Sequence, residues 1–136
     1  NPGMHRFDLV SHVDLASYIL EKAGIDAADL DGISLVPVVE EGKPHSRTRV
    51  FAEEGATGLR PEPDLIAMMR SDRYKLIYFQ GSENGQLFDL QKDPLEKKNL
   101  WNTLEYKDIQ CQLTREMLDW LYGNLYKHRD LFIESR

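Results

Sequence analysis

The side chains that most often do chemistry in proteins are too scattered in this sequence to form a local catalytic motif. Histidines occur at His5, His12, His45 and His128, without an H-x-H, H-E-x-x-H or H-x-x-x-H spacing. Zinc sites built from one segment need such spacings. The single cysteine, Cys111, lies in a helical pattern and allows neither an intrachain disulfide nor a cysteine zinc cluster. The sequence therefore predicts no metal site and no nucleophile from a local motif.

Acidic residues offer a second source of chemistry. Glu53 and Glu54 end a predicted strand, and Asp89 and Asp93 lie near a turn, so they could form an acid–base pair. The pair Asp93-Pro94 is more typical of a turn. The phosphate-binding pattern G-x-x-x-x-G-K-[ST] and the patterns G-x-G-x-x-G and G-x-S-x-G do not occur. We interpret these acids as structural.

Three cations, Arg70, Arg73 and Lys75, surround a predicted hairpin turn. Arg73 and Lys75 share a face of their strand, so the group could hold a sulfate or a carboxylate. Pairing with nearby acids is the more frequent arrangement.

The segment from Glu54 to Asp64 has the length and the glycine and proline content of a functional loop. Arg60, at its centre, is the candidate for contact with a substrate.

Composition bounds the class of protein. A chain of 136 residues with 41% hydrophobic and 29% charged residues fits one globular domain. The net charge of −6, without a dense basic run, predicts no binding to nucleic acid. No apolar run approaches the ~20 residues that span a bilayer, and no signal-peptide pattern opens the chain. A lone cysteine leaves the compartment open.

The first segment is predicted to be helical. Ser11 and Asp14 have the spacing of a capping box, and Gly24 supplies a stop. Between them lies an amphipathic helix, about Val13 to Ala23, whose apolar stripe is Val13, Ala16, Ile19, Leu20 and Ala23. Leu35 to Val39 could be a short strand or a helical turn, since Pro37 disfavours a central strand.

The remainder predicts an antiparallel meander followed by a long helix. The helix runs from about Tyr106 to His128 and covers strand residues such as Leu76 and Tyr78. The fold class is thus α+β, a small antiparallel sheet of about four strands packed by a long C-terminal amphipathic helix and preceded by a short helical segment. We place the domains at 1–45 and 46–136. The predicted strands are Arg49–Glu53, Leu65–Arg70, Tyr74–Phe79 and Gln86–Leu90, and the predicted apolar face of the helix is Ile109, Leu113, Met117, Trp120, Leu121 and Leu125.

The order of several short segments resembles the C-terminal subdomain of sulfatases of the alkaline phosphatase superfamily. Each segment is weak alone, and their order and spacing give the resemblance its strength. The segments are Val10–Leu15, Ala23–Ile25, Asp31–Leu35, Arg49–Glu53, Met69–Ile77, Leu87–Leu90, Asp93–Glu96 and Asn99–Leu100.

The resemblance implies a parent enzyme whose chemistry lies elsewhere. Such enzymes hydrolyse sulfate esters with a formylglycine made from C-x-P-S-R or S-x-P-S-R, beside a divalent cation that is usually calcium. This chain has neither motif, because Cys111–Arg115 departs at the proline and serine positions. The resemblance therefore implies no catalytic residue, metal or cofactor in this chain, with calcium and formylglycine in the missing catalytic part. It also implies a periplasmic or secreted parent.

By the same resemblance, residues 1–45 would pack on the catalytic domain of the parent chain, and loops of the small domain would rim its pocket. The substrate would be a sulfated small molecule or glycan. The rim candidates are Glu54, Arg60 and Arg70.

Two other interpretations remain open. A related phosphonate or phosphodiester hydrolase would share the superfamily. A free-standing protein-interaction module would bind a partner through apolar surface on the first helix, at Val13, Ile19 and Leu20. An independent small enzyme would need a cluster of titratable groups that the sequence lacks. The opening residues, Asn1–Met4, favour a piece of a longer chain.

Overall fold

The computed structural model describes residues 3, 5–27, 29–55 and 65–127. The chain forms two compact units, Asn1–Val50 and Phe51–Arg136. From residue 56 onward, the predicted functional loop from Glu54 to Asp64 lies outside the described residues, as does His128 at the predicted end of the long helix.

The first unit begins with helix α1 (His12–Lys22). The predicted capping box is present, because the Ser11 amide donates to Asp14 Oδ2 at 2.7 Å. Past the last turn, Gly24 adopts a φ of +74°, a left-handed conformation that favours glycine. The predicted apolar stripe faces outward: Ile19 is 63% exposed, whereas Asp14 and Ser17 are buried. This helix therefore buries its polar side.

A second helix, α2 (Val36–Val39), is a single turn with Pro37 near its start. Of the two predictions for Leu35 to Val39, a short strand or a helical turn, the helical turn is therefore correct. Proline fits the first turn of a helix because its missing N–H would have no partner there. Val38 is buried, as are Leu9 and Leu35.

Gly32 brings the connecting segment into direct contact with α1. A Cβ atom at this position would lie 2.1 Å from the Val13 carbonyl oxygen and 2.4 Å from Ser17 Oγ. No side chain fits at that distance, so the close approach requires glycine.

The second unit is built on a four-stranded antiparallel sheet whose strands lie side by side in chain order. In the register, Met69 pairs with Leu76 and Leu76 pairs with Leu87, and all three side chains are fully buried. This confirms the predicted meander and fold class. The strands are β1 (Val50–Glu54), β2 (Ile66–Arg70), β3 (Tyr74–Phe79) and β4 (Gly85–Asp89).

The outer edge of β4 is covered by the segment that follows it. Asn99 Oδ1 accepts from the Leu87 amide at 3.0 Å, and Asn99 Nδ2 donates to the Gly85 carbonyl at 2.9 Å. The Leu100 amide also donates to the Leu87 carbonyl at 2.8 Å. Because these backbone groups at the edge of β4 are already hydrogen-bonded, they are not available to pair with another strand.

Helix α3 (Lys107–Lys127) follows a 3-10 turn at Leu104–Tyr106 and packs on β2 and β3. Trp120 stacks on Phe51 with ring centroids 4.5 Å apart. Leu125 is wrong as a core prediction, since it is 69% exposed. Twelve residues beyond Leu113, it is rotated about 120° from that side chain. The core consists of Ala67, Met69, Leu76, Leu87, Leu100, Tyr106, Leu113 and Met117.

Candidate functional site

The predicted rim residues do not form one cluster in the described structure. Glu54 is exposed at the end of β1, and Arg70 is exposed at the end of β2. Neighbouring antiparallel strands end at opposite edges of a sheet, so these two residues lie at opposite ends. Arg60 lies outside the described residues. The assignment of all three to a substrate rim stays a prediction.

The hairpin cations are mostly paired with acids. Arg73 contacts Asp89 at 3.0 Å, and Lys75 contacts Glu96 at 2.7 Å. Arg70 makes no ion pair or side-chain hydrogen bond within the part of the chain that the structure describes. Two of the three cations are therefore neutralised, and this hairpin does not present a concentrated positive charge to an anion.

Asp89, at the end of β4, holds Arg73 of the β2–β3 hairpin through an ion pair. Its side chain is 1% exposed, and both of its oxygens accept from Arg73 Nε at 3.3 Å. The hydrogen bonds from Arg73 lower the pKa of Asp89, and they outweigh the opposing effect of burial. The Arg73 guanidinium also lies 4.9 Å from the centre of the Tyr74 ring, within range of a cation–π contact.

Acid is expected to weaken the second unit through Asp89. Because the folded pKa is lowered, the ion pair contributes fully above the unfolded pKa of about 3.9 and loses its contribution as the pH falls through the lower folded value. Asp89→Asn should therefore lower the free energy of unfolding at neutral pH, and its effect should shrink at about pH 3. Urea unfolding followed by tryptophan fluorescence measures the free energy of unfolding at each of the two pH values.

Asp72→Asn is the matched control for this experiment, since Asp72 is exposed in the β2–β3 turn next to Arg73. It should change little at either pH. An Asp89→Asn effect of equal size at both pH values would contradict the assignment.

A second buried acid, Asp14, ties the first unit together. It accepts from the Ser11 and Ile33 amides at 2.7 and 2.8 Å, and from both Arg47 Nε and Arg47 Nη2. Burial raises the pKa of Asp14, but the hydrogen bonds from Arg47 and the two amides prevail, so its pKa is lowered. With every oxygen occupied, this carboxylate has no free lone pair for substrate. The role of Arg47 was missed, because no local pattern connects residues 33 positions apart.

A third ionic cluster joins the first residues to the chain before β1. Asp8 accepts from Arg6 Nε and from the His45 amide, each at 2.8 Å. Arg6 also donates to the carbonyls of Gly42 and Lys43 at 3.2 Å. The hydrogen bonds from Arg6 and His45 lower the pKa of Asp8 to about 2. This cluster is a structural clamp.

An open cleft of about 530 Å³ lies in the first unit, between the end of α1 and the segment that leads to α2. It carries two acids, Glu21 and Asp26, and sequence patterns gave no signal for it. Ser17 Oγ, at its wall, is buried with no hydrogen-bond partner in the described structure. The lining residues are Ser17, Glu21, Gly24, Ile25, Asp26, Ala27, Gly32 and Ser34.

The ranges that the structure describes offer no candidate metal site. Among those residues, no group of three or more histidine, cysteine, aspartate and glutamate side chains could hold a metal ion. No helix in the described segments is long and apolar enough to cross a membrane. Cys111 is exposed on α3. Asp93, one of the candidate acids, accepts from the Lys98 amide at 2.8 Å within its turn.

The described residues thus form an α+β fold, a four-stranded meander covered by a long helix, with buried ion pairs inside each unit. The family model of the C-terminal region of N-sulphoglucosamine sulphohydrolase matches residues 1–121. The chain belongs to this C-terminal sulfatase domain family, within the alkaline phosphatase superfamily. This confirms the resemblance found in the sequence.

Individual relatives agree with the family. A Δ4,5-hexuronate-2-O-sulfatase of Bacteroides thetaiotaomicron is 26% identical over 124 residues, covering 90% of this chain and 26% of that protein. A choline-sulfatase of Rhizobium meliloti is 33% identical over 103 residues, covering 73% and 19%. The structure of a phosphonate monoester hydrolase of Agrobacterium radiobacter superposes with a TM-score of 0.69 and 26% identity, covering 85% and 25%. The chain thus spans about a quarter or less of the length of these relatives.

Proposed function

We propose that this chain is the C-terminal part of a sulfatase-type hydrolase, in which it supports the catalytic domain and lines one wall of the substrate pocket. The observation that carries the proposal is the outward apolar side of α1. The chain spans only about a quarter of its relatives, and three quarters of such a parent would supply the surface that covers this side.

The outward side of α1 has the composition of a buried surface. Val13, Leu15 and Ile19 are 46%, 49% and 63% exposed, while the polar Asp14 and Ser17 point inward. Leu15 and Ile19 lie about 40° apart around the helix and form an exposed apolar patch, which is typical of an interaction site. Burying one such aliphatic side chain fully contributes about 1.5–3 kcal/mol. Docking of the catalytic domain on this patch would therefore stabilise both parts.

The chemistry would come from the catalytic domain. A formylglycine and a calcium ion held by that domain would supply the nucleophile and compensate the charge of the sulfate. The described residues of this chain do not fit a metal, since no group of three metal-binding side chains occurs among them. The contribution of this chain would be positional, at the pocket rim, for which Glu54, Arg60 and Arg70 are the candidates.

The rim proposal favours one end of the sheet. Glu54 ends β1, and the segment that contains Arg60 joins this end of β1 to the start of β2. Arg70 lies at the other end, beside the hairpin turn. A sulfated small molecule or glycan, being anionic, would be attracted to Arg60 and repelled by Glu54, so these two residues would set orientation as well as affinity.

A parent of the phosphonate or phosphodiester hydrolase type is the second candidate. The superposition on the phosphonate monoester hydrolase favours it. Because this chain holds the scaffold and not the reacting groups, its fold is compatible with either scissile bond. Assays of the parent with paired sulfate and phosphonate monoesters of the same nitrophenol would distinguish them.

The purified 136-residue chain is expected to be inactive by itself. With 4-nitrophenyl sulfate and added calcium, it should release nitrophenolate no faster than buffer, because its sequence contains neither C-x-P-S-R nor S-x-P-S-R. An intact sulfatase assayed in parallel is the positive control. Hydrolysis at a rate near that of the intact enzyme would overturn the proposal.

Docking on α1 can be tested with one pair of variants. The part of the parent that precedes Asn1, supplied as a separate polypeptide, should bind this chain, and Ile19→Glu should weaken the binding at least tenfold, equivalent to about 1.4 kcal/mol. Leu104→Glu is the matched control, since Leu104 is 86% exposed on the second unit and should bind normally. Equal loss in both variants, or in neither, would contradict docking on α1.

A further inference from the structure

The outer side of α3 carries an apolar seam that is separate from the face packed on the sheet. Leu118, Tyr122 and Leu125 are 44%, 59% and 69% exposed, and Cys111 is exposed on the same side. The spacing alternates between four and three residues along Cys111, Arg115, Leu118, Tyr122 and Leu125. This alternation is the pattern of a helix that packs against another helix.

The seam is not explained by the core of the second unit. Leu113 and Met117 face the sheet and are 3% and 1% exposed. At about 100° per residue, Leu118 and Tyr122 are rotated by about 140° and 180° from Leu113. The two apolar stripes therefore lie on opposite sides of one helix, and the sheet occupies only one of them.

We propose that this seam binds the same seam of a second copy of the chain, with the two α3 helices antiparallel and Leu118 at the dyad. The inference is independent of the sulfatase assignment, because it rests on α3 alone. Closed two-fold symmetry makes one surface complementary to itself, which is the commonest arrangement in soluble oligomers.

Charge complementarity selects a second copy and the antiparallel direction. Arg115 and Asp119 are close to the seam and make no ion pair or side-chain hydrogen bond in the described part of the chain. In an antiparallel pair centred on Leu118, the position of Arg115 along the helix axis is within one residue of Tyr122 of the second copy. It is within two residues of Asp119 of the second copy. It can therefore approach the aromatic ring and the carboxylate at once.

A parallel pair would oppose like charges. Arg115 would face Arg115, and Asp119 would face Asp119, which is destabilising at an interface. The seam covers about four helical turns and is smaller than the roughly 800 Å² per partner of a standard interface. We therefore expect a reversible dimer that forms at high protein concentration.

The single cysteine makes the direction measurable. Cys111 lies seven residues from Leu118, so in the antiparallel dimer the two copies of Cys111 are about 21 Å apart along the helix axis. A disulfide requires Cα atoms within about 7 Å. Oxidation with copper phenanthroline should leave the original chain unlinked, whereas Cys111→Ser with Leu118→Cys should form a covalent dimer.

Sedimentation equilibrium and charge reversal complete the test. The original chain should show twice the monomer mass at high concentration, and Tyr122→Glu should remain monomeric with unchanged urea unfolding.

Arg115→Asp should weaken the dimer at least tenfold, and adding Asp119→Arg should restore it. Ile19→Glu, on α1, is the matched control and should leave the dimer intact.

Each alternative result has a defined meaning. Linkage through Cys111 in the original chain would indicate a parallel dimer and overturn the proposal. Association that Ile19→Glu abolishes and Tyr122→Glu does not would assign it to α1 and overturn it equally. A monomer at all concentrations, or a seam that binds the catalytic domain and not a second copy, would also overturn it.

Discussion

Asp14→Ala is expected to lower the free energy of unfolding of the first unit by about 3–5 kcal/mol. The side chain is 0% exposed, and its two oxygens accept from two amides and twice from Arg47. Removal would leave the guanidinium of Arg47, whose side chain is 16% exposed, without its counter-charge. The Ser11 and Ile33 amides would also lose their acceptors, which destabilises the helix start and the segment that crosses it.

Hydrogen exchange measured by mass spectrometry reports this effect for each unit. Amides of α1 should exchange roughly a hundredfold to a few thousandfold faster in Asp14→Ala, while amides of α3 should be unchanged. Asp29→Ala is the matched control, since Asp29 is exposed in the same unit, and its effect should stay within about 0.5 kcal/mol. Unchanged exchange in α1 would show that the ion pair does not hold this unit together.

Leu87→Ala should lower the free energy of unfolding of the second unit by about 2–5 kcal/mol. Leu87 is fully buried, is paired in register with Leu76, and belongs to the core cluster that also contains Leu113 and Met117 of α3. Alanine would remove the contacts of three carbon atoms and leave a cavity that the sheet can fill only partly.

Urea unfolding followed by tryptophan fluorescence measures this effect, because Trp101 and Trp120 both belong to the second unit. Leu104→Ala is the control, with the same change of side chain at a position 86% exposed, and it should change little. Similar losses in the two variants would place Leu87 outside the core.

Much of the second unit could be predicted from the sequence, because its elements are determined locally. The sequence predicted strands on either side of the three-residue turn at Ser71–Arg73, and β2 and β3 pair across that turn as an antiparallel hairpin. The period of α3 predicted Leu113 and Met117 as core. Leu125 was assigned wrongly because a helix with two apolar stripes gives the same sequence signal as one with a broad stripe.

The first unit was harder to predict because its stability depends on distant partners. The apolar stripe of α1 was correct as a pattern, but periodicity cannot tell which side of a helix faces its own core. The Asp14–Arg47 pair and the contact of Gly32 with the α1 backbone join residues far apart in sequence. No spacing rule connects such residues, and the buried polar side of α1 follows from them.

For the candidate site, the sequence predicted which types of residue could bind an anion, but not which partners the fold would give them. Arg73 and Lys75 were considered for binding an anion, and the fold gives each of them a carboxylate partner instead. Arg70 remains exposed, and Glu54 lies at the other end of the sheet. Sequence alone cannot decide such pairings, since they depend on which side chains the fold brings within about 4 Å.

The central claim, that this chain supports the catalytic domain of a sulfatase, is tested most directly by sequencing the encoding gene upstream of Asn1. We predict a continuous reading frame of several hundred codons that contains C-x-P-S-R or S-x-P-S-R. A start codon at Met4 with no frame upstream would contradict the claim, and the apolar side of α1 would then belong to a free-standing interaction module.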